Sequence, residues 1–197
     1  LFPLLCLTAI SAIILGMGMT TTAVYITVAA LIVPSLIEAG ILPIAAHMFA
    51  FYFGVVSTIT PPVALASFAG AAIAKSPPMA TAFESSKVGI AKYIVPFAFI
   101  YNPSLLMEGP RIWSFYSLIS VLLAYWCMTL GLEGWFNGKL NVYKRTLALL
   151  GSVSLLIPPL QIIYGIQGFY YNAIGILLLA LIYFVQGKLN FNLKAQS

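Results

Sequence analysis

Two short stretches place glycine or proline beside hydroxyl side chains inside otherwise apolar sequence: Gly16-Met17-Gly18-Met19-Thr20-Thr21-Thr22 and Ser57-Thr58-Ile59-Thr60-Pro61-Pro62. Both point to oxygen-ligand chemistry. In the first, Gly16 and Gly18 allow a helical arm to end in an unwound or left-handed turn. The carbonyls at that end carry partial negative charge and are hard ligands for a small cation such as sodium. Thr20, Thr21 and Thr22 open a second arm, where their hydroxyls can cap the helix or bind a ligand, and the positive end of its dipole suits a carboxylate. In the second stretch, Pro61 has no N–H for the Ser57 carbonyl and Pro62 has none for that of Thr58. Each proline also pushes its predecessor out of helical conformation. The expectation is that two carbonyls and the hydroxyls of Ser57, Thr58 and Thr60 are released together, and that a half-helix starting at Pro61 presents another positive end.

A blander reading stands beside this one. Glycine and proline are common in membrane helices, and threonine often bonds back to its own helix, so either stretch by itself is compatible with a simple kink. The remaining polar residues offer less. His47 stands alone near the start of an apolar run and reads as an interface histidine, and Glu38 reads as solvated. Glu84 and Lys87 have the i,i+3 spacing of a helical ion pair. The inventory excludes the usual enzyme classes: there is no Asp and only one His, so neither an aspartyl dyad nor a zinc site can be assembled. There is no G-x-S-x-G elbow and no phosphate-binding loop, and Gly16-x-Gly18 lacks the third glycine of a nucleotide fingerprint.

The elements that must hold these stretches are membrane elements. Only 7% of the 197 residues are charged, 62% are apolar and the mean hydropathy is +1.05. Soluble domains are about 25% charged, so this chain has too few polar residues to cover a water-facing surface, and lipid is the expected solvent. Nine Lys and Arg stand against four Glu, but the charges are scattered, which argues for cytoplasmic loops and against nucleic acid. Cys6 and Cys127 lie inside apolar runs and read as small hydrophobes, not a disulfide. The opening Leu-Phe-Pro has no basic region and is no signal peptide. It reads as the start of a fragment from within a longer polypeptide.

The fold class expected is therefore all-α integral membrane, a polytopic helical bundle with a re-entrant hairpin and a broken transmembrane helix. Residues 1–37 carry no charge and form the hairpin around Gly16–Gly18, with two tilted full spans as the alternative. Residues 43–74 read as one crossing made of two half-helices that meet at the Pro-Pro break. Residues 77–87 suggest a short amphipathic helix in the membrane interface, and 88–107 a span ending at Asn102-Pro103. Beyond this 1–109 core, 110–197 holds spans at 112–132, 146–162 and 169–187, with a charged loop at 133–145 and bends at Pro158-Pro159 and Gly165/Gly168. If the hairpin opens outward, eight of the nine basic residues fall on the cytoplasmic side and only Arg111 lies outside. This satisfies the positive-inside rule and places the C-terminus in the cytoplasm.

Several segments resemble the large membrane subunit of tripartite ATP-independent periplasmic transporters, in the fused type where small and large membrane subunits form one polypeptide. They are GMGM at 16–19, AAHMFAFYF at 45–53, TPPVALA at 60–66 and IVPFAFIYNPSLLMEG at 94–109. The resemblance is strong over 1–109 and weaker over 110–197. It implies a secondary transporter of the bacterial or archaeal inner membrane, built from inverted repeats. A sodium gradient would drive uptake of small carboxylates delivered by a periplasmic substrate-binding protein. This chain would supply one half, with the N-terminal half of the same permease as its partner; no cofactor is implied beyond sodium as coupling ion. By resemblance Gly16, Gly18 and Thr22, with Thr58, Thr60 and Pro61, fall where the family binds ion and substrate, and of these Gly16, Gly18, Thr22, Thr58 and Thr60 are the sodium candidates. The family usually has proline after GMGM, where this chain has Thr20. The alternatives are an accessory membrane subunit in which the breaks are only kinks, or an ion and carboxylate transporter that needs no binding protein.

Overall fold

A computed structural model describes residues 1–136, 138–159, 162–163 and 166–194. The chain is an all-α membrane protein, apart from one antiparallel pair of two-residue strands, β1 (Ile162–Ile163) and β2 (Ile166–Gln167). It divides into two compact units, Leu1–Glu108 and Gly109–Ser197.

In the first unit α1 (Phe2–Gly16) and α2 (Thr21–Leu31) form the helical hairpin. Pro3 sits in the first turn of α1, where its missing N–H is harmless. The hairpin turns because Met17 is extended and Gly18 adopts φ +81°, a region that glycine enters without strain. The second arm is shorter than the expected 1–37 hairpin. It ends at Leu31, and α3 (Val33–Glu38) continues with Pro34 in its first turn, because a proline cannot donate into the preceding helix.

α4 (Pro43–Val56) is the centre of this unit. Ala45, Ala46, Phe49, Ala50 and Phe53, spaced to share one helical face, are buried against Leu5, Ala9 and Ala12 of α1, Val24 and Val28 of α2, and Val33 and Leu36 of α3. From α7 (Ala91–Tyr101), Phe97 stacks edge-on against Phe49 (5.2 Å between ring centroids) and Phe53 (5.9 Å). Between α4 and α7 lie α5 (Leu65–Ala74) and α6 (Pro78–Val88), which pack on each other. The single span expected over 88–107 is a shorter structure. Gly89 and Ile90 turn the chain between α6 and α7, α7 has 11 residues, and Pro103–Leu106 is a separate 3₁₀ turn. Eleven residues rise about 16 Å, about half the hydrocarbon thickness of a bilayer.

In the second unit α8 (Arg111–Glu133) is, among the described residues, the one helix long and apolar enough to cross a membrane by itself. α9 (Val142–Leu156) starts four residues before the expected 146, since Asn141 caps it with its side chain accepting from the Val142 N–H at 2.8 Å. It stops ahead of Pro158 and does not reach 162. α10 (Gly168–Lys194) continues past the expected end at 187, because a single glycine such as Gly187 weakens a helix by about 1 kcal/mol without ending it. Gly165 lies outside the described residues. α9 and α10 approach closely at Gly151 and Gly175: a Cβ on Gly175 would sit 2.9 Å from the Gly151 carbonyl. Small residues at such a contact let backbones meet where lipid supplies no hydrophobic drive. Asn172 is fully buried here, and with its amide nitrogen turned toward them it donates to the carbonyls of Ser154 (2.8 Å) and Ile157 (3.1 Å).

Candidate functional site

The hairpin turn and the break after α4 meet at one residue pair. Ser57 is completely buried, and its hydroxyl donates to the carbonyl of Gly54 (2.6 Å) and lies 3.2 Å from that of Gly16. Gly16 is where α1 ends, so its carbonyl is one that helix geometry leaves without an i+4 donor. Glycine is required there by packing. A Cβ on Gly16 would run into Ser57 Oγ, 2.6 Å from Ser57 Cβ and 3.3 Å from Val24 Cγ1. Gly54 is close to the same valine, with its own missing Cβ 3.0 Å from Val24 Cγ1.

The break itself runs from Ser57 to Ala64, longer than the Pro61-Pro62 pair and closed by its own hydrogen bonds. The expected half-helix at Pro61 begins instead at Leu65, after Ala64, and Pro61-Pro62 is a cis peptide within the connecting loop. The two carbonyls that proline was expected to orphan both have partners: that of Ser57 accepts from the Thr60 N–H (3.3 Å) and that of Thr58 from the Ala66 N–H (3.0 Å). One replacement donor, Thr60, stands just before the prolines, and the other, Ala66, lies beyond them and is brought back by the loop. The hydroxyls are engaged too. Thr58 donates to the Val55 carbonyl at 2.8 Å and Thr60 to that of Val56 at 2.7 Å. With their protons directed into α4, the oxygens of Ser57, Thr58 and Thr60 can offer only lone pairs to anything else.

On the hairpin side, Thr20 caps α2, its Oγ1 accepting from the Ala23 N–H at 3.4 Å. Gly18, Thr20, Thr21 and Thr22 are exposed, as is Pro62, while Thr58, Thr60 and Pro61 are half-buried. The structure thus brings Gly16 and Ser57 into contact. It sets Thr58 and Thr60 on the end of α4 that receives this contact, and leaves Thr20–Thr22 at the open N-terminus of α2.

Four further residues belong to this neighbourhood and were not singled out from sequence. The Tyr93 hydroxyl is 2.7 Å from Thr60 Oγ1 and 3.4 Å from Ser86 Oγ, and Ser86 donates to the Ile59 carbonyl at 3.0 Å. Tyr25 and His47 correct the expectation of a solitary histidine, since the tyrosine hydroxyl lies 3.0 Å from His47 Nδ1 and links α2 to α4. Ser67, in the first turn of α5, is buried and its hydroxyl has no partner. Between α6 and the break lies an open groove of about 510 Å³ that includes Ile59, Glu84, Gly89 and Lys92 in its lining. The Glu84–Lys87 ion pair is formed, at 2.9 Å and largely exposed. No cluster of metal-ligating His, Cys, Asp or Glu occurs among the described residues.

The family model described as "Tripartite ATP-independent periplasmic transporter, DctM component" matches residues 2–109, more than half of the chain and all of the elements just described. Neither a curated protein nor a solved structure matches the chain.

Proposed function

The chain belongs to the DctM component family of tripartite ATP-independent periplasmic transporters, and from that premise we propose that its first unit carries part of the binding site of a sodium-coupled carboxylate transporter. It is a membrane transporter component and not an enzyme. The observation that carries the proposal is the Ser57–Gly16 contact, which joins two interruptions of helical structure at one point. Irregular backbone at membrane depth is tolerated where it lines a cavity or a binding site.

In this reading the cation binds on the oxygen side. Ser57, Thr58 and Thr60 direct their protons into α4 and turn lone pairs outward, which suits a hard monovalent ion and gives nothing to an anion. Carbonyls of the glycine turn at Gly16 and Gly18 complete the ligand set with Thr22. The carboxylate takes the opposite polarity, at the exposed N-terminus of α2, where Thr20, Thr21 and Thr22 add hydroxyl donors to the helix dipole. The remaining ligands come from the other half of the permease, and a periplasmic binding protein delivers the substrate. The hairpin opens to the periplasm in the inner membrane, and the C-terminus is cytoplasmic.

The test is uptake of labelled carboxylates into proteoliposomes by the intact transporter with its binding protein, with and without a sodium gradient, for the native protein and Thr60→Ala. Sodium-dependent uptake that needs clearly more sodium in the variant supports the reading. Uptake indifferent to sodium removes the ion, and an unaffected variant reduces the break to a kink.

A further inference from the structure

Proton accounting around Thr60 singles out a residue on another helix. Thr60 Oγ1 lies 2.7 Å from the Val56 carbonyl and 2.7 Å from the Tyr93 hydroxyl. A threonine hydroxyl has one proton and two lone pairs, whereas a carbonyl can only accept. The Thr60 proton therefore goes to Val56, and Tyr93 is the donor to Thr60. Tyr93 also has a single proton, and its other neighbour, Ser86 Oγ, is at 3.4 Å, outside the ordinary O–H···O range. Ser86 directs its own proton to Ile59 O. The order is thus Tyr93 to Thr60 to Val56, with Ser86 to Ile59 running beside it.

This arrangement fixes the Thr60 hydroxyl from two sides and leaves it one lone pair. We propose that Tyr93 is a positioning residue for cation binding at the break: its hydroxyl, carried on α7, orients Thr60 so that the remaining lone pair faces the ion. The inference rests on the functional reading above. Tyr93 does not itself touch the ion, and it acts through Thr60.

The experiment measures the sodium dependence of uptake in the intact transporter, reconstituted with its binding protein, for Tyr93→Phe, Thr60→Ala, the double variant and Ser86→Ala. Tyr93→Phe keeps the ring and removes the donor. It should raise the half-saturating sodium concentration roughly three- to tenfold, the scale of one lost hydrogen bond, with the maximal rate at saturating sodium retained. Adding Tyr93→Phe to Thr60→Ala should raise it no further, and Ser86→Ala, which leaves the Tyr93–Thr60 bond intact, should leave it unchanged. The proposal is overturned if Thr60→Ala shifts the sodium dependence while Tyr93→Phe does not, if the two effects add, or if Ser86→Ala shifts it as much as Tyr93→Phe. If even Thr60→Ala leaves the sodium dependence unchanged, the sodium reading of the break falls and this inference falls with it.

Discussion

Ser57 Oγ reaches across from the end of α4 to the carbonyl of Gly16, 41 residues earlier in the chain, at 3.2 Å. This approach is possible because residue 16 has no side chain.

Replacing Gly16 with alanine should be destabilising by about 1–3 kcal/mol, the range for overfilling a closed site, because the new Cβ would lie 2.6 Å from Ser57 Cβ. Pairing Gly16→Ala with Ser57→Gly removes the obstruction and should recover most of the loss. Thermal melting of the purified transporter measures both. A single variant as stable as the native protein would mean that the hairpin turn and the break are not in contact.

Gly18 should respond by a different rule. Nothing lies within 4 Å of where its Cβ would be, but its φ is +81°. An L-residue there costs about 1–2 kcal/mol, less for asparagine, which tolerates the left-handed region. Melting temperatures should therefore fall in the order Gly18→Asn, Gly18→Ala, Gly18→Val, with no rescue from Ser57→Gly. Equal losses for asparagine and valine would point to a contact instead of a dihedral angle.

Arg145, near the start of α9, closes the end of α8. Its Nε donates to the Gly131 carbonyl at 2.9 Å and its Nη2 to that of Leu132 at 2.7 Å. Both carbonyls belong to the last turn of α8, where helical partners run out. A planar fork can serve two acceptors at once and an ammonium cannot hold the same geometry, so Arg145→Lys should retain only part of the stability. Arg145→Met should lose about 1.5–3 kcal/mol. Chemical or thermal unfolding of the purified protein tests the ranking.

Tyr25→Phe should separate the hairpin arm from α4 by one hydrogen bond while keeping the ring stacked on Phe51, with centroids 5.7 Å apart. The expected loss is about 1 kcal/mol, read by melting temperature. His47→Phe should cost less in that background than in the native protein, and a double-mutant cycle that gives no coupling between the two residues would contradict the bond.

What was legible in the sequence follows from which interactions are local. The hairpin turn at Gly16–Gly18 and the interruption after Val56 are set by glycine and proline within a few residues, and both were readable. So was the Glu84–Lys87 pair, whose partners lie one helical turn apart. The two carbonyls that Pro61 and Pro62 were expected to release both have donors: the Thr60 N–H serves that of Ser57 within one turn, and the Ala66 N–H, which serves that of Thr58, comes within reach only once the loop has folded back. Tyr93 and Ser86 gave no signal because α6 and α7 carry them to the break from about thirty residues away. His47 looked solitary for the same reason, since Tyr25 precedes it by 22 residues on another helix. The start of α9 was missed because its first turn holds Lys144 and Arg145, and a charge reads as a loop until its partner is known.

The bond from the Ala66 N–H to the Thr58 carbonyl makes the interruption a closed ring and not an open joint. α5 cannot swing away from α4 about the prolines without losing that bond. The ring is also fastened to α1 through Ser57, to α6 through Ser86 and to α7 through Tyr93. Any displacement of one of these helices must then break these bonds or carry the others with it. The prolines, which look like a hinge in the sequence, lie inside this hydrogen-bonded ring.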